Sequence, residues 1–300
     1  MSNLLITVLG PTAVGKTRFA VKLAEKYNGE IISADSRQVY RHMDIGTGKD
    51  LKEYSFNGKN IPYHLIDILN PTEEYNLFSF QKDFEKCFDD ISLRRQTPFL
   101  VGGTGMYLSS ILQNYKLNEK RNDGSREKEL QTFDLNELKE ILLKLKPDQH
   151  NVTDLLNRDR IIKAILIAES VEHDFVLKDK RHLILGVVLP RDEIKNRITH
   201  RLKDRLKNGM IDEAKKLLEL GVSKDKLKFF GLEYKFLVMH INGELNYNDM
   251  YQKLNSAIHS FAKRQMTWFR KMQREGVKII WLSPEDALKA DVYISKFLDT

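Results

Sequence analysis

Short apolar runs alternate with helical patterns through the first third of the chain. Leu4–Leu9 is a continuous apolar run ending at Gly10, the pattern of a strand buried on both faces of a parallel sheet. Phe19, Ala20, Leu23 and Ala24 then recur at helical spacing and predict a helix over Thr17–Tyr27. Further strands are predicted at Glu30–Ala34, near His64–Ile68 and at Phe99–Val101, with a helix around Phe78–Leu93. Residues Glu119–Glu129 carry eight charges in eleven positions and predict a solvated loop or boundary. From there to about Lys180 every readable pattern is helical, as at Leu138, Ile141, Leu142 and Leu145. Strand character returns at Leu183–Leu189, long basic helices follow, and a last strand is predicted at Val277–Trp281. A helical block inserted between the strands of one sheet accounts for this order.

Composition narrows the class. A hydrophobic share of 41% supports a real core, and 30% charged residues give a well-solvated surface. The longest apolar stretches, Leu4–Leu9 and Leu183–Leu189, fall far short of the roughly 20 residues of a membrane span. Met1-Ser2-Asn3 does not resemble the charged start of a signal peptide, and one cysteine, Cys87, excludes a disulfide framework or cysteine-based zinc site. A cytoplasmic protein is expected. The charge, 49 basic against 42 acidic residues or +7, suits an anionic partner without identifying one.

Gly10-Pro11-Thr12-Ala13-Val14-Gly15-Lys16-Thr17 fits G-x-x-x-x-G-K-[ST] in full, the nucleotide- or ATP-binding motif, with an apolar strand before it and a helix after. The glycines let successive N–H groups point inward, and the helix N-terminus adds partial positive charge. Lys16 would bridge two phosphoryl groups and the Thr17 hydroxyl would hold Mg²⁺. The loop predicts a polyphosphate or diphosphate ester as ligand. An NTPase also needs an aspartate at the end of a hydrophobic strand. Here Phe99–Val101 runs into Gly102-Gly103-Thr104-Gly105 instead, and Asp67 is the substitute candidate. A phosphate cradle without hydrolysis apparatus points to transfer chemistry. The expected fold class is α/β, a P-loop NTPase-like parallel sheet core (1–113 and 184–300) with an all-helical insertion domain at 114–183.

Asp35 follows the predicted strand Glu30–Ala34, at the carboxyl edge where open α/β sheets bind ligands. A carboxylate there can orient and deprotonate an attacking hydroxyl or amine, or it can cap the next turn with Ser36 and Arg37. Gly102–Gly105 ends a strand at the same edge, where Thr104 would offer a hydroxyl and a helix-end N–H. Arg197, Arg201 and Arg205 stand four apart beside the apolar stripe Ile198, Leu202 and Leu206. The stretch Phe261–Arg274 holds Lys263, Arg264, Arg270, Lys271 and Arg274 with no acid, interleaved with Phe261, Trp268 and Phe269. Basic side chains on a fixed helix mixed with aromatics suit phosphate backbones and stacked bases. On the residues alone a group transferase, a P-loop small-molecule kinase and a non-catalytic RNA-binding protein all stay open.

Together, GPTAVGKT at 10–17, ADSRQVYRHMDIGTGK at 34–49, YHLIDILNP at 63–71, VGGTGMYL at 101–108 and KRQMTWFR at 263–270 resemble the bacterial tRNA dimethylallyltransferases. The motifs agree in content, order and spacing over roughly residues 4–282. The resemblance implies a P-loop core with a helical insertion. It also implies transfer of a dimethylallyl group from dimethylallyl diphosphate to N6 of the adenine 3′-adjacent to the anticodon, in tRNAs reading codons that begin with U. The loop 10–17 would then hold the prenyl diphosphate, with Mg²⁺ on Thr17. Asp35 matches the base that accepts the amine proton, Arg201 the arginine on the leaving diphosphate, and Thr104 a further catalytic position.

The same resemblance implies tRNA contacts. Asp35, Ser36, Arg37 and Gln38, with Thr104 and Arg126, match tRNA-contacting positions. Asp159, Arg160, Ile161, Ile162 and Lys163 belong to a segment that keeps the family's outline, and Lys263 and Arg264 lie on the basic run. The expected partners are the tRNA anticodon stem-loop and dimethylallyl diphosphate, with no membrane, and the expected state is a monomer. Three departures from the pattern bear on substrate range. Lys163 stands where arginine is usual, Arg205 replaces a common methionine, and Gly231-Leu232-Glu233-Tyr234-Lys235 is a variant loop. The kinase alternative would leave Phe261–Arg274 without a role, and prenylation of free adenine nucleotides would leave the insertion without one.

Overall fold

The computed structural model describes residues 4–118, 124–145, 157–169, 172–173 and 180–299. It separates into two compact units, one made of 1–113 with 177–300 and the other of 114–176. Among the described residues of the first unit, six strands form one parallel sheet: β1 (Leu4–Leu9), β2 (Gly29–Ala34), β3 (Tyr63–His64), β4 (Thr97–Gly102), β5 (Arg181–Val187) and β6 (Ile280–Leu282). Their spatial order is β6-β5-β1-β4-β2-β3. β1 is central and almost wholly buried, which is why it reads as an unbroken apolar run rather than an alternating one.

Register decides where the site falls. Leu9 pairs with Gly102 and Gly186, and Ala34 pairs with Gly102. The residues that follow β1, β2 and β4 therefore leave the sheet side by side at its carboxyl edge, which is the ligand edge of open parallel sheets. The strand expected near His64–Ile68 stops at His64, because Leu65 (φ 62°) and Asp67 (φ 56°) are left-handed and cannot continue a ladder.

Helices cover the sheet. α1 (Lys16–Lys26) buries Phe19, Ala20, Val21, Leu23 and Ala24, the face expected from spacing. α2 (Leu77–Leu93), capped by the Asn76 side chain accepting from Ser79 N–H, and α3 (Gly105–Leu112) pack together through Phe80 stacked on Tyr107 at 4.0 Å. The helices described in the 114–176 unit are α4 (Gly124–Leu130), α5 (Leu135–Leu145) and α6 (Arg158–Ala168). Their core holds Leu130, Leu138, Leu142, Ile161, Ile162, Ile165 and Leu166.

Two expectations change in this unit. It is not all-helical, since Leu117–Asn118 pairs antiparallel with Glu172–His173. Residues 124–129 of the predicted charged loop are helical, within α4, while 119–123 lie outside the described residues, as do 146–156, 170–171 and 174–179 of the predicted helical stretch.

A helical layer completes the first unit: α7 (Arg191–Lys207), α8 (Met210–Glu219), α9 (Lys224–Phe229), α10 (Leu232–Ile241), α11 (Tyr247–Arg274) and α12 (Ala287–Leu298). The 28 residues of α11 rise about 1.5 Å each, about 42 Å in all. Met250, Leu254, Ile258, Ala262, Gln265, Phe269 and Met272 form its buried stripe, one turn apart. Among the described residues no helix is long and apolar enough to cross a membrane.

Candidate active site

Gly15, at φ 85°, turns the chain from β1 into α1 in a left-handed conformation that glycine adopts without steric cost. Ala13 shares that region at φ 66°. A side chain at Gly10 would run into the Val187 carbonyl at the end of β5. The loop is thus held by backbone shape, with Pro11 and Val14 buried beneath it. Thr12, Lys16 and Thr17 face a cavity of about 610 Å³ at the carboxyl edge of the sheet.

Lys16 Nζ donates to the Pro11 carbonyl at 2.7 Å, folding back over its own loop. Burial lowers its ammonium to about 8, against the opposing pull of Asp35. A bound anion favours the ammonium, so its pKa rises on binding. Binding therefore takes up a proton between the free value near 8 and the higher bound value. Titration calorimetry with inorganic pyrophosphate, in buffers of differing ionisation heat, should show extra proton uptake at pH 9 over pH 7 in the native protein. Lys16→Met should lose that difference.

Asp35, Ser36, Arg37 and Gln38 line the same cavity, directly after β2. Asp35 Oδ1 accepts from Arg37 N–H at 2.9 Å, so the turn-capping role is present, and the carboxylate nonetheless belongs to the cavity wall. Thr104, also in the wall, accepts from Ser36 N–H at 3.1 Å through its hydroxyl, while its own N–H donates to Ala34 O at 3.2 Å. These bonds lock the β2 and β4 exits together.

Gln265 joins the third exit to them. It accepts from Thr12 N–H at 2.8 Å and donates to Gly103 O at 2.8 Å, linking α11 to both loops. Sequence reasoning passed over it, although a lone amide in the otherwise apolar stripe of α11 is a visible signal. On the same helix Trp268 packs over Gly105, donating to Ser109 Oγ at 2.8 Å, and Phe269 is fully buried. The interleaved aromatics therefore divide. Phe261 and Arg264 line the cavity, Trp268 forms wall, Phe269 is core, and Lys263 projects to solvent.

Arg201 and Arg205 bring the α7 stripe into the cavity. Arg201 donates to Gly48 O at 3.3 Å and pairs with Asp50 at 2.6 Å. Among the described residues Arg205 Nη2 is a buried donor without a hydrogen-bond partner. Burial, and then the like charge of Arg201, lower the Arg205 guanidinium to about 10. Burial raises the Glu233 carboxyl above its usual range, and Arg205 opposes that shift. The two sequence departures at 205 and 233 thus face one cavity.

Behind Gly48 lies a clamp that the sequence did not reveal. Glu213 accepts from the N–H groups of Asp44, Ile45 and Gly46 at 2.7–2.8 Å and from the Tyr234 hydroxyl at 2.7 Å. Buried Lys49 donates to Tyr40 O at 2.6 Å and to the carboxylates of Asp44 and Asp67. Asp67, the substitute candidate for the strand-end aspartate, is paired with Lys49 in this clamp and is not among the residues lining the cavity. Glu213→Ala strands several donors and should cost about 2–3 kcal/mol, read as a lower urea midpoint. Glu213→Gln should recover part, since one amide oxygen accepts two of the four bonds.

In the 114–176 unit, Arg126 pairs with Glu169 at 2.5 Å and Glu129 at 2.8 Å. Asp159, Arg160 and Lys163 are exposed on α6. Ile161 and Ile162 are both buried in that unit's core, so their side chains hold α6 in place.

The family profile described as IPP transferase matches residues 38–272, and that described as isopentenyl transferase matches 3–61. The tRNA dimethylallyltransferase 1 of Geotalea uraniireducens (strain Rf4) is 51% identical over 292 residues, covering 96% of each chain. That of Syntrophus aciditrophicus (strain SB) is 47% identical over 291 residues, covering 95% of each. The crystal structure of the full-length tRNA isopentenylpyrophosphate transferase from Bacillus halodurans is similar with a TM-score of 0.72 at 31% identity. It covers 99% of this chain and 97% of that one.

Proposed function

The chain belongs to the tRNA dimethylallyltransferase (IPP transferase) family, and we propose that it transfers a dimethylallyl group from dimethylallyl diphosphate to N6 of the adenine 3′-adjacent to the anticodon. It is an enzyme that transfers a prenyl group to tRNA. The observation that carries the finer reading is the convergence of a phosphate loop, a carboxylate and two arginines on one cavity.

Those residues divide the work. The N–H groups of the loop from Ala13 to Thr17, with Lys16 and Arg201, receive the diphosphate. The Thr17 hydroxyl in the cavity wall suits Mg²⁺, which takes one or two protein oxygens and completes its shell with phosphate oxygens and water. Such an ion would add positive charge on the diphosphate. An exocyclic adenine amine is a poor nucleophile, so Asp35 orients it and accepts its proton as the N6–C1 bond forms and the C1–O bond to diphosphate breaks. Charge grows on the departing diphosphate, where Lys16, Arg201 and the loop N–H groups stabilise it. Thr104 fixes the Asp35 turn through Ser36. The base must leave its stack to reach Asp35, at a cost of a few kcal/mol, which contacts from Arg37, Gln38 and Arg264 at the cavity and Lys263 outside it would offset. Arg126 and the segment Asp159, Arg160, Ile161, Ile162 and Lys163 are proposed as a further tRNA-contacting surface, the two buried isoleucines holding the segment in place, and the protein as a cytoplasmic monomer.

The test is nucleoside mass spectrometry of unmodified bacterial tRNA incubated with the protein, Mg²⁺ and dimethylallyl diphosphate. N6-dimethylallyladenosine is expected. Its absence, with a tRNA that a control enzyme modifies, overturns the reading, and the relatives' names give no support to the kinase alternative.

A further inference from the structure

Two arginine–phenylalanine pairs stand at the cavity. Arg264 lies over the ring of Phe261 at 5.8 Å, and Arg37 lies over the ring of Phe229 at 5.4 Å. Arg37, Phe261 and Arg264 line the cavity, as do Lys228 and Phe230 on either side of Phe229. Phe229 itself is 73% exposed, an unusual position for a phenylalanine in a protein whose other large aromatics are mostly enclosed.

Its presentation is built. Phe230 is buried and rests on Tyr40 with ring centroids 4.6 Å apart. The chain turns at Gly231 (φ 135°), and a side chain there would come within 3.8 Å of Arg37 Nε. Phe230 therefore anchors the end of α9 inward while Phe229 is turned outward, with Arg37 covering one ring face. Apolar burial does not explain this placement, because the ring remains in water.

Resting on the tRNA reading above, we propose that the Arg37–Phe229 and Arg264–Phe261 pairs are stacking platforms for the two unpaired bases that neighbour the adenine taken into the cavity. Extruding one base leaves one ring face of each neighbour unstacked. A ring backed by a guanidinium offers each a flat face next to positive charge for the adjoining phosphate. Such stacking tolerates any base, so it would hold the loop without adding sequence preference at those positions.

Phe229→Leu and Phe261→Leu keep apolar bulk and remove the ring. Each should raise KM for a minimal anticodon stem-loop about 10- to 100-fold, while Phe229→Trp retains native KM. Affinity for inorganic pyrophosphate, which needs no base, should stay at the native value and reports an intact loop site. The decisive arm uses stem-loops made abasic at either neighbour of the target adenine. Each substitution should then cost nothing further on the stem-loop lacking its own base. A native KM in both leucine variants, or a penalty that persists on both abasic substrates, overturns the proposal. Absence of product from the native protein on the intact stem-loop would instead count against the transferase reading itself.

Discussion

Asp35→Asn lowers the single-turnover rate of prenyl transfer by about 10²- to 10⁴-fold, the usual range for loss of a positioned general base. The substitution separates the two roles of this side chain. An asparagine keeps the size and the carbonyl oxygen that accepts from Arg37 N–H at 2.9 Å, so the turn after β2 should survive. It cannot take up the amine proton. Unfolding midpoint and tRNA affinity should therefore stay near native values while the rate collapses. Asp35→Ala removes the turn as well, and should lose both rate and some stability. Native turnover in Asp35→Asn would reduce this residue to the cap of its own loop.

Lys16→Met should lower kcat by about 10²- to 10³-fold, the scale seen when one preorganised donor to a developing charge is removed. In the free protein the ammonium is folded onto the Pro11 carbonyl, and burial lowers it to about 8. That placement costs folding energy, because a cation is held out of water with one neutral acceptor. Methionine fills the same volume without the charge, so stability should hold or rise slightly while activity is lost. Lys16→Arg should rescue little, since a planar fork does not fit a cradle shaped for a point charge. Rapid-quench turnover paired with thermal unfolding checks both halves, and a Met variant with native kcat would remove Lys16 from the leaving-group site.

Much of the core was legible because its signals are local. β1 spans Leu4–Leu9 as the apolar run indicated, and the loop at 10–17 is fixed by glycines whose conformational need is written in neighbouring residues. Asp35 and Thr104 were found because strand ends are visible in sequence and parallel sheets place those ends on one edge. Arg201 and Arg205 followed from helical spacing. The Glu213 clamp offered no such signal. Its partners Asp44, Ile45 and Gly46 lie 167 to 169 residues away, and nothing local to either segment indicates the other. Phe269 and Trp268 looked alike in a basic run, and only the packing of α11 against the sheet edge made one core and the other a wall over Gly105. The segment 159–163 likewise mixes residues that hold its shape, Ile161 and Ile162, with residues that face outward, and only packing separates the two.

The division follows the range of the forces involved. Strand and helix identity, the phosphate loop and the placement of Asp35 depend on backbone preference and hydrophobic period, which act over a few residues and can be read along the chain. Which polar side chains meet depends on distances across the fold. Gln265 reaching Thr12 over 253 residues, Arg201 reaching Gly48 over 153, and Arg37 meeting Phe229 exist only once sheet register and helix packing have set those distances. The sequence by itself determined the chemistry available at the sheet edge; the tertiary structure decided which cations, amide and aromatic rings converge there.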